Sequence, residues 1–142
     1  MRMIGIDPGE KNIGIAISDP TGTLARPLEV LAHTNRQQDA AEIAEIARRE
    51  QAVRIVVGQA TDSEGRPNFS GRKAARLAAA IRDHTDLPVE LWDESFSTQK
   101  ARQSLIDLGV PRKERQGHHD ASAAAIILQS YLDNKHDANG NA

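Results

Sequence analysis

An α/β domain built on one mixed five-stranded sheet is the fold class this sequence predicts, and three observations predict it. The chain opens with three segments of period-two apolar alternation joined by tight turns. It then alternates short apolar runs with stripes of helical period, and it closes on a helix that is apolar on nearly every side. Antiparallel strands followed by strand–helix alternation place a sheet between helices on both faces. At 142 residues the chain is long enough to bury one core.

The first strand is the run Met3-Ile4-Gly5-Ile6, ending at Asp7, and Pro8-Gly9 turns the chain. In the second, Ile13, Ile15 and Ile17 share a face. After the turn Asp19-Pro20-Thr21-Gly22, Thr23 to Leu31 is the third. Ala40, Ile43, Ala44 and Ala47 then repeat at helical spacing, predicting a helix over 39–49. Val53-Arg54-Ile55-Val56-Val57, closed by Gly58, reads as a buried parallel strand. Gln59 to Ser70 is polar and reads as a loop. A helix over 71–82 carries Ala74, Leu77, Ala78 and Ile81. Leu87 to Trp92 is the fifth strand, and a helix capped within Ser95 to Thr98 runs to Gly109. A loop, Val110 to His119, precedes the final helix, Asp120 to Leu132. The domain is therefore expected over 1–132, with 133–142 a disordered tail. This order matches the ribonuclease H-like fold, an architecture shared by several chemistries.

Composition excludes some of them. With no cysteine there is neither a disulfide nor a thiolate zinc site. The net charge of −2 advertises no nucleic-acid binder, so any such binding must come from a local basic surface. The aromatics are Phe69, Trp92, Phe96 and Tyr131, too few for a broad base-stacking sheet. No apolar run approaches a membrane span and no leader precedes the first strand, so a cytoplasmic protein is expected.

Acids stand where elements end: Asp7 after the first strand, Asp93-Glu94 after the fifth, Asp120 opening the last helix. Each has an ordinary explanation, as a turn cap, a solvated loop charge or a favourable charge at a helix start. Converging at one sheet edge, they would repel one another unless a cation lay between them. Oxygen ligands without cysteine suit Mg²⁺ or Mn²⁺ over Zn²⁺.

Three ordered motifs carry a resemblance. Gly5-Ile6-Asp7-Pro8-Gly9-Glu10-Lys11-Asn12-Ile13-Gly14 through Asp19 resembles the opening signature of the RuvX/YqgF family. Trp92-Asp93-Glu94-Ser95-Phe96-Ser97-Thr98 with Ala101 is similar to its central motif. Asp120-Ala121-Ser122-Ala123-Ala124 through Leu132 is similar to its closing helix. The resemblance implies a ribonuclease H-like nuclease that matures the 5′ end of precursor 16S rRNA, or, alternatively, a resolvase of branched DNA. It implies that Asp7, Glu94 and Asp120 hold two Mg²⁺ or Mn²⁺ ions, with Asp93 competing for the middle position, since neighbours on a strand face opposite ways. The chain departs from the family in two places. Gly58-Gln59-Ala60 stands where Gly-Leu-Pro is usual, and Gly117 stands where related resolvases place a fourth acid.

Around these acids, Lys11 is either a phosphate contact or a solvated turn residue. His118 and His119 abut Asp120, and His118 is a candidate for proton transfer. Two basic groups, Arg66, Arg72, Lys73 and Arg76, then Arg112, Lys113 and Arg115, are candidates for holding a phosphate backbone. Paired cuts in a two-fold symmetric junction would require a homodimer; a single cut in RNA would not. Two other readings remain. Asp7 to Gly14 also fits the first phosphate loop of sugar kinases and actin-like ATPases, which need a second domain. A non-catalytic binding module could keep the same acids for stability.

Overall fold

Pro8 and the turn after it fold β1 (Arg2–Pro8) back onto β2 (Asn12–Ser18), so that Ile4 lies opposite Ile17 and Asp7 opposite Gly14. β3 (Ala25–Ala32) adds antiparallel to β2, while β4 (Ala52–Gln59) pairs parallel with β1, and β5 (Val89–Asp93) parallel with β4. The sheet order is β3-β2-β1-β4-β5, mixed as the sequence predicts. The computed structural model describes residues 1–96, 98–109 and 121–140. Within these lie four α-helices: α1 (Arg36–Arg49), α2 (Phe69–Arg82), α3 (Thr98–Asp107) and α4 (Ser122–Gly140), with a 3-10 turn at Glu94–Phe96. The loop predicted over 110–119 and the helix start at Asp120 lie outside the described residues.

Strand alternation divides the core. Ile4, Ile6, Ile13, Ile15, Ile55 and Val57 pack under α1 and α2. Ala16, Val56 and the Ala124, Ala125 and Leu128 side of α4 form the opposite layer. Each fully buried isoleucine contributes roughly 1.5–3 kcal/mol, so the α1/α2 face carries most of the apolar burial. The α4 face is thinner because the helix comes close. A Cβ on Gly5 would lie 2.7 Å from the Leu128 Cβ and 3.2 Å from the Ala124 carbonyl.

Several element ends differ from the sequence reading, α2 for one beginning at Phe69 inside the expected loop, and two of the differences bear on packing. α1 begins at Arg36, ahead of Asp39, because the Asn35 side chain accepts from the Gln38 N–H at 2.9 Å; its first turn is polar and leaves no apolar stripe to read. Where a structureless tail is predicted from Asp133, α4 continues to Gly140. Polar side chains hold the extension. Asp133 accepts from Ser104 at 2.7 Å and Gln129 at 3.0 Å, and His136 Nε2 lies 3.0 Å from the Gly22 carbonyl.

Candidate active site

Gly5 faces α4, so Asp7, two residues on, shares that face at the end of β1. Its carboxylate is desolvated there, and burial raises its pKa above the ordinary 3.8.

Which of Asp93 and Glu94 shares the side of Asp7 depends on where β5 stops. Trp92 turns to the α4 face, donating its Nε1–H to Ser130 at 3.0 Å and meeting Tyr131 edge-on with ring centroids 5.3 Å apart. Asp93 therefore points the other way. Its Oδ1 accepts from the Thr61 hydroxyl and the Ser95 N–H, both at 2.9 Å. Burial raises its pKa, but hydrogen bonds from the Ser95 backbone and hydroxyl and from Thr61 outweigh it, and its carboxyl sits below the usual range. The strand ends at Asp93, and the 3-10 turn swings Glu94 back to the α4 side. Burial raises the Glu94 pKa first, and the charges of Asp7 and Asp93 raise it further. Asp7 and Glu94 are thus both half-buried on the α4 side, and the charge of Asp7 adds to the cost of ionising Glu94, while Asp93 is engaged by Thr61 and Ser95.

Gly58 makes room for this pair. It is paired with Trp92 across β4 and β5, and a Cβ there would lie 2.7 Å from Ile127 Cδ1 and 3.1 Å from Glu94 Oε1. Sequence reasoning read Gly58 as the end of a strand and the start of a departure from the family; its contact with Glu94 is not written in the sequence. Gln129 is the second residue it missed. Fully buried, its amide accepts from the Ala25 N–H and donates to the Thr23 carbonyl, both at 2.9 Å, tying α4 to the start of β3.

Asp120, Gly117, His118 and His119, with Arg112, Lys113 and Arg115, lie outside the described residues. Among the described residues no group of three or more acids and histidines converges. Lys11 is exposed in the turn after Asp7, its carbonyl accepting from the His33 N–H at 2.9 Å. Arg66 pairs with Glu64 on the surface. Arg72, Lys73 and Arg76 lie on α2, which begins at the sheet edge where β4 ends, on the face opposite Asp7 and Glu94.

A family model described as RuvX, Holliday junction resolvase, matches residues 1–134. The chain belongs to the RuvX family. A relative in Desulforamulus reducens, named "Putative pre-16S rRNA nuclease", is 38% identical over 133 residues, covering 94% of this chain and 97% of that protein. One of the same name in Symbiobacterium thermophilum is 41% identical over 133 residues, covering 94% and 92%. Among solved structures, RuvC of Thermus thermophilus superposes with a TM-score of 0.65 at 17% identity, over 96% of this chain and 97% of that one. That likeness shows the fold, and the sheet of this RuvX-family chain is the ribonuclease H-like one its strand order predicts.

Proposed function

We propose that this chain is a divalent-metal-dependent nuclease whose physiological cut processes precursor 16S rRNA. The observation that carries the reading is the Asp7–Glu94 pair, two desolvated carboxylates facing the same side of one sheet edge in a RuvX-family chain. Desolvated like charges are costly unless a cation shares the space. The donors fit hard cations, because both are carboxylates and the chain has no cysteine. Asp120, two positions before α4 begins at Ser122, is the third ligand in this reading. Asp7, Glu94 and Asp120 would together hold the ions. When bound, Mg²⁺ or Mn²⁺ activates the attacking water and neutralises charge on the phosphate.

The remaining steps belong to the chain's own groups. β1 and β5 flank β4 and run parallel to it, so Asp7 at the end of β1 and Glu94 in the turn directly after β5 come to the same sheet edge. Lys11, Arg66, Arg72, Lys73 and Arg76, with Arg112, Lys113 and Arg115, bind the phosphate backbone, and His118 gives a proton to the departing oxygen. Among the described residues no helix is long and apolar enough to cross a membrane. The reading places the enzyme in the cytoplasm, with the ribosomal precursor.

RNA is favoured because relatives at 38% and 41% identity carry the rRNA name. The second reading, resolution of branched DNA by a homodimer, rests on the family description and on a likeness to T. thermophilus RuvC bound to a Holliday junction, TM-score 0.63. The phosphate-loop and non-catalytic readings lose ground to the family match, which spans the whole sheet. The test is cleavage of a structured precursor RNA and of a four-way DNA junction in Mg²⁺ or Mn²⁺, beside Asp7→Asn. Metal-dependent RNA cleavage that the variant loses while keeping RNA affinity is the expected result. Equal turnover by Asp7→Asn, or cleavage undiminished in chelator, would overturn the proposal; cleavage confined to the junction would replace RNA by DNA.

A further inference from the structure

On the other side of the sheet edge, a cavity of about 410 Å³ opens between the Pro8–Gly9 turn, the end of β3 and the starts of α1 and α2. Its floor is apolar, with Ile13 and Leu77, and its rim carries Arg36 and Lys73 against one acid, Glu10. The other acid in its wall, Asp39, is 2% exposed and fully engaged. It pairs with His33 Nδ1 and accepts from the Thr34 N–H at 3.1 Å and the Thr34 hydroxyl at 3.3 Å. That clamp fixes the His33 ring and leaves Nε2 as the nitrogen a ligand can reach. Helix ends are not the attraction, because Asn35 and Asn68 already cap them.

Phe69 stands at the mouth, 62% exposed although it is one of the few aromatics in the chain. Lys73 Nζ lies 5.1 Å and Arg72 Cζ 5.9 Å from its ring centroid. An exposed large apolar ring loses free energy to water, and here it is surrounded by cations with no carboxylate partner among the described residues. A planar ring, a floor of aliphatic carbon and a rim of positive charge together match a nucleobase and its phosphate.

We propose that this cavity seats one unpaired nucleotide of the bound strand. Its base lies against Phe69, and its phosphate is held between Arg36 and Lys73. The proposal rests on the nuclease reading above and deepens it. The cavity shares the Pro8–Gly9 turn with Asp7, so a strand crossing that edge puts one phosphate at the acids and a neighbouring nucleotide in the seat. A base held in a duplex stack has both faces covered and cannot lie against Phe69, so the seat selects substrates with an unpaired flank beside the cut. A free mononucleotide offers the same chemistry but lacks contact with the acids.

The experiment measures binding in chelator, where nothing is cleaved, using an RNA hairpin with an unpaired 5′ extension carrying 2-aminopurine, a blunt duplex of the same stem, and adenosine monophosphate. Phe69→Ala is expected to weaken hairpin binding about 5- to 100-fold and abolish the quenching of 2-aminopurine. Blunt-duplex affinity should be unchanged, and Phe69→Trp should restore the hairpin. The residue is exposed, so folding is not at stake, and a thermal melt verifies it. Equal effects of Phe69→Ala on hairpin and duplex, or none on either, overturn the seat. Competition by adenosine monophosphate as strong as by the hairpin assigns the cavity to a free nucleotide and overturns it too. With RNA cleavage intact, those outcomes leave the nuclease reading standing; absence of any RNA binding by the wild type discards both.

Discussion

Gly58→Ala separates the two jobs of one glycine. The new Cβ would meet Ile127 Cδ1 at 2.7 Å, a distance no relaxed structure keeps, and Glu94 Oε1 at 3.1 Å, tight but tolerable after a shift of a few tenths of an ångström. Ile127 is 4% exposed, so its δ-methyl must find room in a packed layer. Overpacking of this kind costs about 1–3 kcal/mol, or roughly 3–9 °C in Tm for a chain of this size. The carboxylate moves as well, by those few tenths of an ångström, and since a full ångström at a reacting centre costs about 100-fold, a loss of about 2- to 5-fold in rate is expected. The double variant Gly58→Ala/Ile127→Val removes the atom in the worse contact and leaves the Glu94 contact in place. Its Tm should recover most of the loss while its cleavage rate should not. Thermal melts and single-turnover cleavage of the precursor RNA read the two effects. Recovery of rate in step with Tm would refute the argument, because the activity loss would then be a packing effect with no separate displacement of Glu94.

Two further outcomes follow from the charges. Burial raises the folded-state pKa of Asp7, so the folded chain binds that proton more tightly than the unfolded one. Stability in chelator therefore falls as pH climbs from about 3.8 through the raised value. Asp7→Asn should melt higher than wild type at pH 7 and lose that advantage near pH 4. An advantage that persists unchanged at pH 4 would mean that charge is not the cause. Asp19 is the opposite case. Burial raises its pKa, but hydrogen bonds from Leu24 N–H, the Thr21 hydroxyl and Thr23 N–H outweigh it and hold it at about 2. Its contribution is complete above about 3.8 and lost as pH falls to about 2. After allowance for solvent screening, Asp19→Asn should cost about 1 kcal/mol at pH 7 and only a small part of that at pH 2, where half the carboxylate is already protonated; an equal cost at both pH values would show that the amide, not the charge, is at fault.

What the sequence discloses is whatever repeats locally. The isoleucines of β1 and β2 announce their strands by alternation, and the acids announce themselves by standing where that alternation stops. The choice between Asp93 and Glu94 is different, because strand alternation alone puts one of them on each face. It depends on β5 ending one residue before Glu94 and on Thr61, far away in sequence, being there to engage Asp93. Gly58 and Gln129 are invisible for the same reason: a glycine closing a strand and a glutamine in an apolar helix are unremarkable until Glu94, Ala25 and Thr23 are brought against them. The Asp39–His33 clamp was hidden inside a helix start whose polar first turn offers no period. Asp133 shows the reverse: the apolar stripe stops there, but Ser104 and Gly22 supply polar partners that keep the helix going.

The fold also explains why the cations of α2 need not crowd the acids. Side chains alternate across a strand, so Asp7 faces α4 while Pro8 faces the α1/α2 side, and one peptide bond separates the carboxylate layer from the cationic one. Cations placed among Asp7 and Glu94 would neutralise them and remove the attraction for a metal. Cations across the edge still draw a phosphate backbone to the turn, because the screening length at physiological salt is about 8 Å. A substrate strand that passes over Pro8–Gly9 meets both layers in succession. The same separation predicts that neutralising Arg72 and Lys73 weakens substrate capture and leaves the metal requirement of cleavage where it was.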